Sequence, residues 1–162
     1  MNKAIFLDRD GVLVDNSEHY YIWKSDQLTL VDGAIENLKM LSLKGFQLFI
    51  VSNQGGISRR LYSKEDILKL HRELILTFKA NNIEIAEIAF CPHHPEVEKC
   101  LCRKPDSLML EKLIAKYRIR KEESYMIGDS QSDMDAARKA GIQGIQIIPN
   151  QNMFPHLSFL IQ

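Results

Sequence analysis

AIFLDRDG, residues 4–11, joins a short apolar run to two aspartates. Four apolar residues that end at charged ones are typical of a buried strand in a parallel sheet. Gly11 permits a tight turn directly after the aspartates. Because alternate residues at a strand end point the same way, the carboxylates of Asp8 and Asp10 can face one site.

The same pattern of an apolar strand followed by polar residues recurs along the chain. Further strands are predicted at residues 46–51, 85–90, 125–127 and 144–148, and amphipathic helices at 33–44, 64–78, 107–117 and 131–140. Strands that alternate with helices predict an α/β fold, with a doubly wound and mostly parallel sheet between two layers of helices. Residues 1–162 are expected to form a single domain, since the length suits one domain and no large insertion supplies a cap domain.

Polar residues follow the other predicted strands where ligands bind in such sheets, at the carboxyl ends. Ser52 and Asn53 follow the second strand, Lys104 the third, and Asp129 and Asp133 the fourth. Each of these motifs is weak evidence on its own, because Asp-x-Asp-Gly often forms an ordinary turn and Gly-Asp often caps a helix. Their occurrence in this order, each after a strand, indicates a shared site.

Phosphoryl transfer needs a nucleophile, positive charge for the phosphate oxygens and a proton donor for the leaving group. A carboxylate can be the nucleophile and form an aspartyl-phosphate, and Mg²⁺ takes oxygen ligands and lets two anions approach. Of Asp8 and Asp10, one can attack phosphorus while the other carries the proton. The pattern therefore predicts a magnesium-dependent phosphatase.

The three cysteines lie within twelve residues, between Cys91 and Cys102, and an odd number cannot all form disulfides. Cys91, His93, Cys100 and Cys102 form a C-x-H…C-x-C pattern, which offers three thiolates and one imidazole. This set suits a tetrahedral structural Zn²⁺ site, with His94 the less favoured of the two histidines. A reduced loop without metal is the alternative.

The ordered motifs resemble those of the haloacid dehalogenase-type phosphatases over about residues 3–148. They are DRDGV at residues 8–12, Ser52-Asn53, Lys104 and GDSQSD at residues 128–133. The resemblance implies that Asp8 is the nucleophile and a magnesium ligand. It implies that Asp10 is the general acid and base and binds the metal through its backbone carbonyl.

The same resemblance implies roles for the residues after the other strands. Ser52 and Lys104 would hold the phosphoryl group, and Asp129 would complete the magnesium site. Asp133 and Ser130 would support that site without binding the metal themselves.

The Cys/His loop resembles that of the D-glycero-D-manno-heptose 1,7-bisphosphate phosphatases and of the histidinol-phosphatase domain, where zinc is structural. NQGGISR at residues 53–59 is closer to the heptose enzymes, although Arg60 stands where they often have glycine. The resemblance implies a heptose bisphosphate substrate, hydrolysed to the 1-phosphate or the 7-phosphate. Histidinol phosphate is the alternative.

Substrate contacts are expected from several residues around the predicted site. A bisphosphate needs cations for the phosphate that is not cleaved, which Arg103 and Arg59 could supply. Glu18 would suit the ammonium group of histidinol phosphate, and Tyr21 either touches substrate or packs its own loop. The complete set of expected contacts is Asn53, Gln54, Gly55, Arg103, Lys104, Glu18, Tyr21, Arg59 and Ser52.

The composition of the chain restricts the classes of partner that the protein is expected to bind. Lys+Arg and Asp+Glu both number 21, so the formal net charge is zero, without the basic excess that favours nucleic acid or anionic membranes. No signal peptide or membrane span is recognisable. We expect a cytoplasmic monomer that binds a small phosphomonoester.

A protein of a different class is also compatible with aspartates at strand ends. A non-catalytic phospho-acceptor of the receiver type, or a sugar-phosphate binding protein, could share such a sheet. Asp10 argues against both, because a hydrolase needs its proton carrier there, and receivers have no Cys/His loop.

Overall fold

The computed structural model describes residues 2–161 and shows five strands and five α-helices that alternate along most of the chain. The elements are β1 (Ala4–Leu7), α1 (Ala34–Leu43), β2 (Gln47–Asn53), α2 (Lys64–Ala80), β3 (Ile85–Cys91), α3 (Leu108–Tyr117), β4 (Tyr125–Gly128), α4 (Gln131–Ala140), β5 (Gln143–Gln146) and α5 (Phe154–Ile161). Two 3₁₀ turns lie at Ser25–Gln27 and Lys121–Glu123. None of the helices described is long and apolar enough to cross a membrane.

The strands form one parallel sheet in the order β3-β2-β1-β4-β5. The chain therefore runs outward from β1 to β3 and then crosses back to β4. The sheet reverses its winding between β1 and β4, and ligands bind at such a switch point. Leu7 pairs with Ile127, so the residues that follow these two strands lie side by side.

Helices cover both faces of the sheet, which confirms the predicted doubly wound α/β class. Because neighbouring strand residues point to opposite faces, Ile5 and Leu7 pack in one core cluster and Ala4 and Phe6 in the other. The first cluster takes in buried residues of α1, α2 and α5, and the second those of α3 and α4. The burial of β1 from both sides explains its uninterrupted apolar sequence.

The predicted start of α2 is confirmed in detail. Ser63 Oγ accepts the N–H of Asp66 at 3.1 Å, and Asp66 Oδ2 accepts the N–H of Ser63 at 2.8 Å. This reciprocal capping box satisfies two N–H groups that the first turn leaves unpaired.

Two features of the C-terminal part differ from the sequence-based expectation. β5 ends at Gln146 rather than at residue 148, because its partner strand β4 ends at Gly128, the residue paired with Gln146. Helix α5 was not predicted from the sequence. Its first N–H, on Phe154, is accepted by Asn152 Oδ1 at 3.0 Å, and Leu157 is fully buried in the core cluster of α1 and α2.

Candidate active site

Three carboxylates converge at the carboxyl ends of β1 and β4. Asp8, Asp129 and Asp133 each offer an oxygen, and these oxygens lie within 4.8 Å of one another. Asp8 follows β1 directly, and its N–H donates to Ile127 O at 3.0 Å, which joins it to the neighbouring strand. The topology thus brings together aspartates that are more than 120 residues apart in the chain.

Lys104 is the buried cation of this cluster. Its Nζ lies 2.9 Å from Asp8 Oδ1 and 2.6 Å from Asp133 Oδ1, and it donates to Val51 O at 2.7 Å. Asn53 aligns the backbone of Lys104 from β2, since its Oδ1 accepts the Lys104 N–H and its Nδ2 donates to Lys104 O, both at 3.0 Å. The lysine is therefore held at both its backbone and its ammonium group.

Burial and charge set the protonation of the cluster. Burial raises the pKa of Asp8 to about 7, with Asp133 and Asp10 acting in the same direction and Lys104 opposing them. Burial also raises the pKa of Asp129. Burial alone would lower the pKa of Lys104, but the carboxylates of Asp8 and Asp133 outweigh it and raise that pKa.

The carboxylate of Asp10 accepts hydrogen bonds from the side chains of two other residues. Arg9 Nε donates to Asp10 Oδ1 at 2.8 Å, and Arg9 Nη2 donates to Asp10 Oδ2 at 2.9 Å. Gln54 Nε2 donates to the same Oδ2 at 3.1 Å and to Ser52 Oγ at 2.8 Å. Arg9, Ser52 and Gln54 are buried, so this hydrogen-bonded layer lies beneath the site.

Charge and spacing fit a divalent cation at the aspartates. Arg9 pairs with Asp10, and Lys104 pairs with Asp8 and Asp133. With Asp129 included, these four carboxylates and two cations carry a formal excess of two negative charges. Apart from its ion pair with Lys104, Asp133 Oδ1 has no hydrogen-bond partner among residues 2–160. Hard carboxylate oxygens are the ligands that Mg²⁺ prefers.

Gly11 keeps the turn after β1 close to these carboxylates. Its φ is +83°, and a Cβ there would lie 2.5 Å from Asp129 Oδ2. Only glycine combines this backbone conformation with so close an approach.

The second cluster fits zinc. Cys91 Sγ lies 3.6 Å from Cys100 Sγ and 3.1 Å from Cys102 Sγ, and His93 Nδ1 lies 3.5 Å from Cys91 Sγ and 3.2 Å from Cys102 Sγ. Zinc–sulfur bonds of about 2.3 Å in a tetrahedron bring sulfurs to about 3.8 Å. The four residues named from the sequence are thus the four that face one another, and His94 stands apart from them.

A cavity of about 320 Å³ opens over the aspartates. Its walls include ten of the residues expected from the sequence: Asp8, Asp10, Tyr21, Asn53, Gly55, Arg103, Lys104, Asp129, Ser130 and Asp133. Ser52 and Gln54 were expected to contact substrate, but they lie buried beneath the cavity and outside its lining. Gln54 contacts Asp10, and Ser52 contacts Gln54.

Glu18 and Arg59 lie elsewhere, in contrast to the expectation that they border the pocket. Ser17 donates its N–H and hydroxyl to Asp15 Oδ1 at 2.8 and 2.6 Å, and this turn leaves Glu18 in a separate depression beside Asp26. Arg59 donates its N–H to Gly55 O at 3.3 Å in a turn that leaves its side chain exposed.

Four further residues outside the expected set line the cavity: Asn16, Tyr20, His94 and Ser132. Tyr20 adjoins Tyr21, and the sequence left both open as either substrate contacts or packing residues of their loop. Ser132 lies in the recognised GDSQSD motif, and His94 lies in the Cys/His loop, so their positions in the chain were a usable signal. Asn16 comes from a polar loop whose course depends on a hydrogen bond from its N–H to Asn150 Oδ1 at 3.0 Å. No local pattern predicts that contact.

Comparisons with known proteins agree with this geometry. Residues 101–148 match a family model described as HAD-hydrolase-like. The D-glycero-beta-D-manno-heptose-1,7-bisphosphate 7-phosphatase of Pasteurella multocida (strain Pm70) is 37% identical over 153 residues, which cover 91% of this chain and 82% of that protein. The enzyme of the same name from Haemophilus influenzae is 39% identical over 147 residues, 88% of this chain and 77% of its own.

A bifunctional relative and a solved structure extend the comparison. The histidine biosynthesis bifunctional protein HisB of Legionella pneumophila (strain Lens) is 35% identical over 91% of this chain, which spans 42% of that protein. The crystal structure of a D,D-heptose 1,7-bisphosphate phosphatase from B. bronchiseptica, complexed with magnesium and phosphate, superposes with a TM-score of 0.84 at 25% identity, over 97% of this chain and 86% of the other. The chain therefore belongs to the haloacid dehalogenase-type phosphatases, in the family that includes the heptose-1,7-bisphosphate 7-phosphatases, and is a phosphoric monoester hydrolase.

Proposed function

We propose that this phosphatase is magnesium-dependent, works through an aspartyl-phosphate on Asp8 and removes the 7-phosphate of D-glycero-beta-D-manno-heptose 1,7-bisphosphate. The observation that carries the proposal is the cluster of Asp8, Asp129 and Asp133 around the buried Lys104, at the floor of an open cavity. A phospho-acceptor or binding protein would not need a second carboxylate two residues after the nucleophile.

The side chains divide the reaction between them. A carboxylate oxygen of Asp8 attacks phosphorus, and the bond from phosphorus to the sugar oxygen breaks. Asp10 gives its proton to that oxygen, and then takes a proton from the water that hydrolyses the aspartyl-phosphate. Lys104 balances the charge on the phosphoryl oxygens from its buried position beside Asp8.

The residues present fit the magnesium ion that the family uses. The carboxylates of Asp8 and Asp129 and the backbone carbonyl of Asp10 would hold it, and bound Mg²⁺ supplies charge neutralisation between nucleophile and phosphate. Asp133 would support the site from behind, because one oxygen pairs with Lys104 and the other accepts from Ser130 Oγ at 2.7 Å.

Cys91, His93, Cys100 and Cys102 would hold zinc, whose role is to cross-link the loop between β3 and Lys104. Arg103 follows the last of these ligands directly, and its Nη1 donates to His93 O at 3.0 Å. The loop thereby directs a guanidinium into the cavity.

The relatives and this cation support the proposed substrate. Two relatives at 37% and 39% identity carry the name of the heptose bisphosphate 7-phosphatase. Arg103 lines the cavity as a planar donor suited to a second phosphate. Histidinol phosphate is the second candidate, because HisB proteins are 35% identical over the same span.

Phosphate release from the heptose bisphosphate and from histidinol phosphate, measured side by side with magnesium, tests the proposal. Release of one phosphate per heptose, with a clear preference over histidinol phosphate, is expected. The reverse preference would replace the substrate and keep the catalytic roles. Full turnover by an Asp10→Asn variant would overturn the role of Asp10.

A further inference from the structure

Arg9 is the largest side chain that the fold buries completely. A guanidinium carries five N–H donors and no acceptor, and a buried donor without a partner is costly. Besides its two bonds to Asp10, Arg9 donates from Nη2 to Ile22 O at 2.6 Å, and its Nη1 lies 3.2 Å from His71 Nε2. His71 thus provides a partner for the fourth of these five donors and helps to fix the guanidinium plane.

The contact with Arg9 determines the chemical state of His71. Because Arg9 can only donate, His71 Nε2 must accept, so the imidazole is neutral and carries its proton on Nδ1. Burial, assisted by the charge of Arg9, lowers the pKa of His71 to about 3, which agrees with that assignment. The histidine therefore serves as an uncharged acceptor at any physiological pH.

His71 is held by packing and does not line the cavity. It lies on the buried face of α2, and its ring meets the ring of Phe90 on β3 edge-to-face, with centroids 5.3 Å apart. Its position is thus set by the packing of α2 on the sheet and is independent of substrate.

We propose that His71 is a positioning residue for proton transfer: it orients the Arg9 guanidinium, which in turn orients the Asp10 carboxylate toward the leaving oxygen. The inference rests on the proposed function, because it assumes that Asp10 is the general acid. Gln54 donates a separate hydrogen bond to Asp10. Loss of His71 should therefore make the orientation of the carboxylate less precise without removing all of its hydrogen bonds. We expect about a tenfold loss, a part of the roughly 10²–10⁴ that general acid catalysis supplies.

Substrates that differ in leaving group separate positioning from packing. The sugar phosphate releases an alkoxide that needs the proton of Asp10, whereas p-nitrophenyl phosphate releases a stable phenolate that does not. The ratio kcat/KM reports the steps up to leaving-group release. His71→Leu should lower kcat/KM about tenfold for the heptose bisphosphate and less than about twofold for p-nitrophenyl phosphate.

Two matched variants sharpen the comparison. His71→Gln retains an acceptor and should restore most of the heptose activity. Leu74→Ala, one turn further along α2 and fully buried in the core, should lower Tm without separating the two substrates. Equal losses on both substrates by His71→Leu, or none, would overturn the proposal.

A measurement on the unaltered protein keeps the test valid even if His71→Leu does not fold. The ¹⁵N shifts of the His71 ring should show a protonated Nδ1 and an accepting Nε2 throughout pH 5.5–8. An imidazolium, or the opposite tautomer, would overturn the proposal.

Asp10→Asn separates failure of this inference from failure of the proposed function. If Asp10→Asn keeps full heptose turnover, the proposed function is wrong. If it loses turnover but adding His71→Leu lowers kcat/KM a further tenfold, Asp10 keeps its role and only the positioning by His71 is wrong.

Discussion

Lys104 illustrates at the scale of one residue how a buried charge becomes part of the site. Its ammonium group contacts two carboxylates and a carbonyl, so its desolvation is offset only while those partners are present. The carboxylates in turn depend on the lysine, because they otherwise face each other in a buried cluster.

Replacing the lysine should therefore cost both stability and activity. We expect Lys104→Met to lower the free energy of unfolding by about 3 kcal/mol, since it leaves Asp8 and Asp133 unpaired, and to remove phosphatase activity. Urea unfolding measures the first effect. Lys139→Met is the control, because its ion pair with Asp106 is exposed and should contribute less than about 1 kcal/mol. Equal losses for the two variants would contradict the expectation.

His71 leads to a prediction about acid stability. Burial, with Arg9 the charged group beside it, lowers the pKa of His71 from 6.5 to about 3. Between these values the unfolded chain binds the extra proton, so stability is full above pH 6.5 and falls as pH drops toward 3. Relative to His71→Gln, the natural protein should lose about 2 kcal/mol between pH 7 and pH 5. Parallel stability curves for the two proteins over that range would refute this.

The loop of residues 92–103 shows how an element without regular structure positions a side chain. It runs from the end of β3 to Lys104, and its shape comes from the Cys/His cluster and from the pairing of Asn53 with the Lys104 backbone. Since a loop has few backbone hydrogen bonds of its own, the cluster and these two hydrogen bonds determine where its side chains point.

Loss of one ligand of the Cys/His cluster should therefore lower activity at the neighbouring active site. Cys100→Ser should lower zinc content and reduce kcat with magnesium present, because Arg103 and Lys104 lose their fixed loop. Metal analysis and phosphate release check the two effects, with Thr77→Ala on the exposed face of α2 as a control that leaves the loop untouched. Unchanged zinc content in Cys100→Ser would rule out zinc at this cluster.

At the scale of the whole molecule, topology concentrates negative charge at one point. The switch between β1 and β4 brings together aspartates more than 120 residues apart in the chain, although the net formal charge of the whole protein is zero. The excess of two negative charges at the site is a property of the fold, which a cation can relieve.

Magnesium should accordingly stabilise the entire domain. A ligand that binds only the folded state adds about 2.7 kcal/mol when its concentration is 100 times its Kd, so Tm should rise with added Mg²⁺. Asp129→Asn should abolish most of that rise while leaving the fold intact. Differential scanning fluorimetry after treatment with a chelator provides the measurement, and an undiminished rise in Asp129→Asn would exclude Asp129 as a ligand.

Local sequence patterns were enough to predict the fold class, the strand ends that bear the aspartates and the four members of the Cys/His cluster. These features were predictable because strand burial, helix capping and ligand spacing are encoded by residues that are close together in the sequence. In contrast, the formation of α5, the positions of Glu18 and Arg59 away from the cavity and the position of Asn16 in its wall are visible only in the folded protein. The same is true of the contact between His71 and Arg9, which are 62 residues apart in the chain. Asn16 and His71 could not be placed from the sequence because their positions depend on contacts with segments 134 and 62 residues away, which no local pattern encodes. Glu18 and Arg59 lie in local turns whose orientation relative to the cavity is set by the packing of those turns in the fold.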